Sequence, residues 1–193
     1  MMLNQKELAK VARQLGRFPQ GVVNVAKHCL AGHPQVITNY PIRWRSDGPQ
    51  IFPNLYWLTC PALRRQVGVL ETEGWIERLQ QRLESDSSLA EGWQRAHRAY
   101  ADKRVQLVPE DELTVLRRHH PAQAQALAET GIGGIRGQGI KCLHTHLADF
   151  LADTDKLNPI GNLVVELLRA KGLSVDYCFD YELERFCRGC GTG

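Results

Sequence analysis

At Cys60-Pro61 the chain changes character, and that boundary constrains the fold more than any other feature of its 193 residues. Before it lie three short runs rich in β-branched and aromatic residues. They are Gly21-Val22-Val23-Asn24-Val25-Ala26, Gln35-Val36-Ile37-Thr38-Asn39-Tyr40, and Ile51 to Thr59. Ser46-Asp47-Gly48-Pro49 is a turn signal between the last two. After the boundary, apolar residues recur at helical spacing, and Pro61, Pro121 and Pro159 stand where helices start. A short amphipathic helix from Asn4 to Leu15 precedes the strands, with Gly16 ending it. Strands gathered at one end and helices at the other predict an α+β fold. We expect a small N-terminal antiparallel sheet of about three strands, arranged as a meander and packed with a mainly α-helical body. Residues 1–177 read as one such domain, and 178–193 as a cysteine-containing tail.

The periodicity predicts helices over Ala62 to Glu73, Trp75 to Leu83 and Ser88 to Val105. One more opens at Pro109-Glu110-Asp111-Glu112, with acidic residues where the helix dipole favours them. Others follow from Pro121 to Glu129, from Ile140 to Ala152, and from Asn158-Pro159 to about Lys171.

Bulk properties narrow the function classes. Hydrophobic residues make up 43% and charged residues 23%, the balance of a soluble globular chain. A net charge of +3 is too weak to call for nucleic acid. Phe52, Tyr56 and Trp57 could form a base-stacking platform, but few basic residues are interleaved, so packing is the better account. Strict alternation would put Phe52 and Tyr56 on one face and Trp57 on the other. The N-terminal residues carry no apolar signal core, and no apolar run has transmembrane length. The expectation is a cytoplasmic protein without a membrane partner. In that compartment six cysteines point to reduced thiols, metal ligands or redox centres rather than a disulfide framework.

Chemistry concentrates in Gly139-Ile140-Lys141-Cys142-Leu143-His144-Thr145-His146, after the glycine-rich run Gly131-Ile132-Gly133-Gly134-Ile135-Arg136-Gly137. Cys142 and His146 are four apart on the helix expected from Ile140, so they share a face and His144 points elsewhere. A helix boundary moved by a few residues keeps His144 in the candidate set. Cys29 follows the first strand and Cys60 ends the third, so a meander brings both thiols to one end of the sheet. Cys29, Cys60, Cys142 and His146 would then make a Cys₃His site, suited to zinc, with an iron–sulfur cluster as the alternative. Arg136 and Lys141, beside glycine-rich backbone amides, are candidates for binding an anion. Cys187 and Cys190 form a Cys-x-x-Cys that would serve as a second thiol site. Two further readings stay open: a metal-free module that binds a protein partner, and a thiol-dependent enzyme with Cys142 as nucleophile.

The chain also resembles a bacterial family of unknown function, the domain of unknown function numbered 501. The resemblance rests on Gln14-Leu15-Gly16-Arg17 with Gly21-Val22-Val23, and on Phe52-Pro53-Asn54-Leu55-Tyr56-Trp57-Leu58-Thr59-Cys60-Pro61. Gly139 to Ala148 and Asn158-Pro159-Ile160-Gly161 complete it, over roughly residues 14 to 170. It implies a small cytoplasmic bacterial protein and supplies no reaction, substrate or catalytic residue. Members often carry a cysteine–proline–any–glycine turn after the first strand. Here that stretch reads Cys29-Leu30-Ala31-Gly32, without the proline, which weakens the inference for Cys29 relative to Cys60 and Cys142.

Overall fold

Helix α1 (Gln5–Leu15) leads into β1 (Val22–His28) and β2 (Pro34–Asn39), which pair antiparallel. The computed structural model describes residues 5–176 with their side chains, and the backbone alone of 179–180 and 185–186. After β2 come a hairpin of β3 (Ile42–Arg45) and β4 (Gly48–Ile51), and then β5 (Tyr56–Leu58). Strand β5 pairs antiparallel with the free edge of β2, giving the order β1-β2-β5. The shared strand β2 is buried along its whole length. Two of its buried polar side chains donate to backbone: the Gln35 amide to the Val175 carbonyl at 2.7 Å and the Asn39 amide to the Asn54 carbonyl at 3.3 Å.

The expected three-stranded antiparallel sheet is present, but its third strand is not the continuous run from Ile51 to Thr59. Ile51 closes the β3–β4 hairpin, and Ser46-Asp47-Gly48-Pro49 turns within that hairpin rather than between the sheet strands. The break has a backbone cause. Pro53 has no N–H to give to a ladder, and the Leu55 amide donates to the Tyr100 hydroxyl at 2.7 Å. The interruption also undoes strict alternation, so Phe52 and Trp57 meet edge to face with ring centroids 5.3 Å apart.

The helical body follows as α2 (Pro61–Thr72), α3 (Trp75–Ser85), α4 (Ser87–Gln106), α5 (Glu110–His119) and α6 (Pro121–Glu129). A 3₁₀ turn at Ile132–Gly134 leads to α7 (Leu143–Ala152) and α8 (Pro159–Ala170). Their starts follow local rules. Pro61, Pro121 and Pro159 occupy first-turn positions, and Asp86 and Asn158 accept backbone N–H bonds at the starts of α4 and α8. No helix among the described residues is long and apolar enough to cross a membrane. Strands β6 (Phe179–Asp180) and β7 (Arg185–Phe186) pair antiparallel. Cys178, Cys187 and Cys190 lie outside the described residues, and with them the second thiol site expected in the tail.

The main core joins the sheet, through Val36, Leu58 and Cys60, to α2, α7 and α8. Helices α7 and α8 touch closely at Gly161, where a Cβ would lie 2.4 Å from the His146 carbonyl oxygen and from Phe150 Cβ. A smaller cluster packs the β3–β4 hairpin on α5 and α6 through Ile42, Leu113, Leu116 and Leu127. Arg104 is fully buried, and its guanidinium donates to the carbonyls of Pro53, Leu127 and Thr130. That satisfies carbonyls at the end of α6 that the helix leaves without partners.

Candidate functional site

Helix α7 begins three residues later than the periodicity predicts, and this rearranges the candidate ligands. Cys142 is the N-cap, with extended dihedrals (φ −161°, ψ 128°), so helical phase does not apply to it. The structure therefore places His144, not His146, beside Cys142. Cys142 Sγ lies 3.5 Å from His144 Nδ1.

Helix α2 supplies a third donor. Glu71 Oε1 lies 3.0 Å from His144 Nδ1 and accepts the Leu143 amide at 2.7 Å. One oxygen thus touches the imidazole and holds the first N–H of α7. The other ring nitrogen, Nε2, lies 2.9 Å from the Arg64 carbonyl oxygen. A carbonyl only accepts, so Nε2 carries a proton and Nδ1 is the nitrogen turned towards Cys142 and Glu71. Glu71, Cys142 and His144 are half-buried, and their donor atoms all lie within 4.8 Å of one another. Burial alone would lower the His144 pKa. The hydrogen bond with Cys142, the Arg64 carbonyl and the charge of Glu71 outweigh it and raise the pKa to about 9.

The cluster opens onto a cleft of about 350 Å³. Cys142, His144 and Thr145 form one side, and Tyr56, Trp57, Arg17 and Arg64 contribute to the others. The Arg17 guanidinium lies over the Trp57 ring, 5.2 Å from its centroid.

The remaining expected residues sit elsewhere. His146 points into the core, 1% exposed, with Nδ1 3.3 Å from Asn158 Oδ1. Burial lowers its pKa to about 4, keeping it neutral. The same Asn158 donates to Asp149 Oδ2 at 2.8 Å, and burial raises the Asp149 pKa to about 7. Cys29 and Cys60 are buried in the main core. The Cys29 amide donates to the His33 carbonyl and the Cys60 amide to the Gln35 carbonyl, so both flank the start of β2. That is the shared sheet end which the meander argument requires. Among the described residues, however, neither thiol joins a set of three potential ligand atoms with Cys142.

Arg136 and Lys141 are exposed and do not line the cleft. In the glycine-rich loop, the Gly131 amide donates to the Ile135 carbonyl and the Gly134 amide to the Gly131 carbonyl. Those two amides serve the loop's own turn rather than an anion.

Glu71 and Arg64 are residues that sequence reasoning did not single out, and Arg17 enters there only within Gln14-Leu15-Gly16-Arg17, with no role attached. No spacing motif marks them, because packing of α2 and the α1–β1 connection near α7 brings them to Cys142.

No curated protein and no solved structure matches the chain. A family model described as "Protein of unknown function (DUF501)" matches residues 25–166, a span that includes the second half of β1, all of β2 and β5, and Glu71, Cys142 and His144. The chain therefore belongs to the DUF501 family.

Proposed function

We propose that the protein binds a divalent metal, zinc first, through Glu71, Cys142 and His144, with a coordination position open to the cleft. The observation that carries this reading is the convergence of three donor atoms of the right types. Zinc takes thiolate, imidazole and carboxylate ligands, and three protein ligands with one open position is the arrangement of reactive rather than structural zinc. Zinc–sulfur and zinc–nitrogen bonds of about 2.3 and 2.0–2.1 Å at a tetrahedral angle put the two ligand atoms about 3.6 Å apart. Cys142 Sγ and His144 Nδ1 are 3.5 Å apart. The Arg64 carbonyl on Nε2 is the outer hydrogen bond that metal-ligating histidines characteristically make, and it fixes the tautomer. Two soft or borderline ligands and one carboxylate favour zinc over an iron–sulfur cluster, which prefers thiolates.

A second reading has its own observation. Cys142 and His144 are adjacent, as a thiol nucleophile and its base would be. In a relay a third group holds the far ring nitrogen, as the Arg64 carbonyl does here, so that contact serves either reading. What favours ligation is the carboxylate that converges with the thiol on the near nitrogen.

The test is metal content and competition against a chromophoric chelator, in a chain carrying Cys187→Ser and Cys190→Ser so that the tail thiols do not contribute. The expected result is one equivalent of zinc, bound at least tenfold more weakly in Cys142→Ser, His144→Gln and Glu71→Gln. Cobalt substitution should add a thiolate charge-transfer band that Cys142→Ser abolishes. Zinc held equally well by Cys142→Ser would refute the proposal. Rapid alkylation of Cys142 that depends on His144, without metal binding, would favour the thiol reading.

A further inference from the structure

We infer that the cleft beside Cys142 binds a small oxyanion, a carboxylate or phosphate group, with Arg17 and Arg64 as its two cationic contacts. The inference rests on the metal reading for one contact, the ligand oxygen that would fill the open coordination position. The rest follows from the cleft itself.

Arg17, Arg64 and His144 line the cleft, and no aspartate or glutamate does. Among the described residues neither arginine pairs with a carboxylate. The Arg17 guanidinium lies over Trp57, and stacking on a ring face engages none of its N–H donors. Arg64 gives Nη1 to the Gln14 carbonyl at 3.3 Å, which anchors the side chain and leaves further N–H donors for a ligand. The start of α7 faces the same space through Cys142, His144 and Thr145, but its first amide is already held by Glu71, so the positive charge of the cleft comes from the two arginines.

Bound zinc does not cancel this field. Its two positive charges are matched by one thiolate and one carboxylate, and the two guanidinium charges remain. A guanidinium recognises planar or tetrahedral oxyanions through paired N–H donors. Tyr56 and Trp57 bound the same cleft and would face the apolar part of such a ligand. A cleft of about 350 Å³ fits a small molecule rather than a polymer.

The experiment follows the Trp57 indole N–H by ¹⁵N-resolved NMR while inorganic phosphate or malonate is added at constant ionic strength. It uses the full chain, zinc-loaded and chelator-treated. Arg17→Gln and Arg64→Gln change exposed side chains, and Arg45→Gln serves as a control away from the cleft. The expected result is a saturable shift with at least one anion, weakened on the order of tenfold in each cleft variant and unchanged in Arg45→Gln. Saturation by phosphate alone identifies a phosphate-bearing ligand, and by malonate alone a carboxylate-bearing one. Failure of both anions to saturate, or equal affinity in Arg17→Gln and Arg64→Gln, would overturn the inference. If one equivalent of zinc binds and neither anion does, this inference falls alone. If zinc does not bind but arginine-dependent anion binding persists, the metal reading falls and the oxyanion site stands.

Discussion

Replacing Asp149 by asparagine should remove a loss of stability that the wild-type chain suffers as pH rises through neutrality. Asp149 is only 4% exposed, and its pKa is raised from 3.8 to about 7, mainly by burial. The folded state therefore keeps this carboxyl protonated over a range in which the unfolded chain has released the proton. The folded state binds more protons there, so stability falls as pH rises. The contribution is fully present below about pH 4 and is lost as pH climbs through about 7. From pH 5 to pH 8 the folded group is titrated across roughly two units below its pKa. At 1.36 kcal/mol per unit, that costs on the order of 3 kcal/mol. Asparagine keeps an oxygen to accept from the Asn158 amide, which now lies 2.8 Å from Asp149 Oδ2, and carries no charge. The assay is urea unfolding at unit intervals from pH 5 to pH 8, with Asp149→Asn beside the wild type. The variant should gain relative to the wild type at each step above pH 5. Parallel curves for the two proteins would refute the reasoning. His97 acts in the opposite direction: burial lowers its pKa from 6.5 to about 3, so its contribution is lost on acidification below about 6.5. The comparison at matched pH cancels that histidine.

Two stability predictions rest on packing and hydrogen bonding. Gly161→Ala places a Cβ 2.4 Å from the His146 carbonyl oxygen, so α7 and α8 must separate, at a cost of about 1–3 kcal/mol in denaturant unfolding. Tyr100→Phe removes the acceptor of the buried Leu55 amide and should cost about 1–3 kcal/mol, with faster hydrogen exchange at Leu55.

Much of the fold is legible because it is written locally. Pro121 and Glu129 bound a helix in the sequence and in the structure alike, and Asn158 caps α8 as its residue type leads one to expect. The β1–β2 pairing follows from a short connection, and β5 returns to the other edge of β2 after the β3–β4 hairpin. The β3–β4 hairpin escapes because Pro49 and Pro53 mask a strand of four residues and a break after it. At the candidate site, the segment from Gly139 to His146 announces itself, but its geometry depends on where α7 starts. A shift of three residues exchanges His146 for His144. Glu71 lies 73 residues before His144, and only the packed body brings them to 3.0 Å.

The first amide of α7 donates its hydrogen bond to Glu71, so one helix is capped by a side chain of another. The ordinary N-cap is a local device that forms and frays with its own turn. This one holds only while α2 and α7 remain docked, and it places a helix start under the control of a carboxylate that also faces His144. A perturbation at Glu71 will therefore reach the first turn of α7 through the Leu143 amide. Hydrogen exchange at that amide reads the state of the cluster directly, and Glu71→Gln, which keeps a carbonyl acceptor, separates the loss of charge from the loss of the cap.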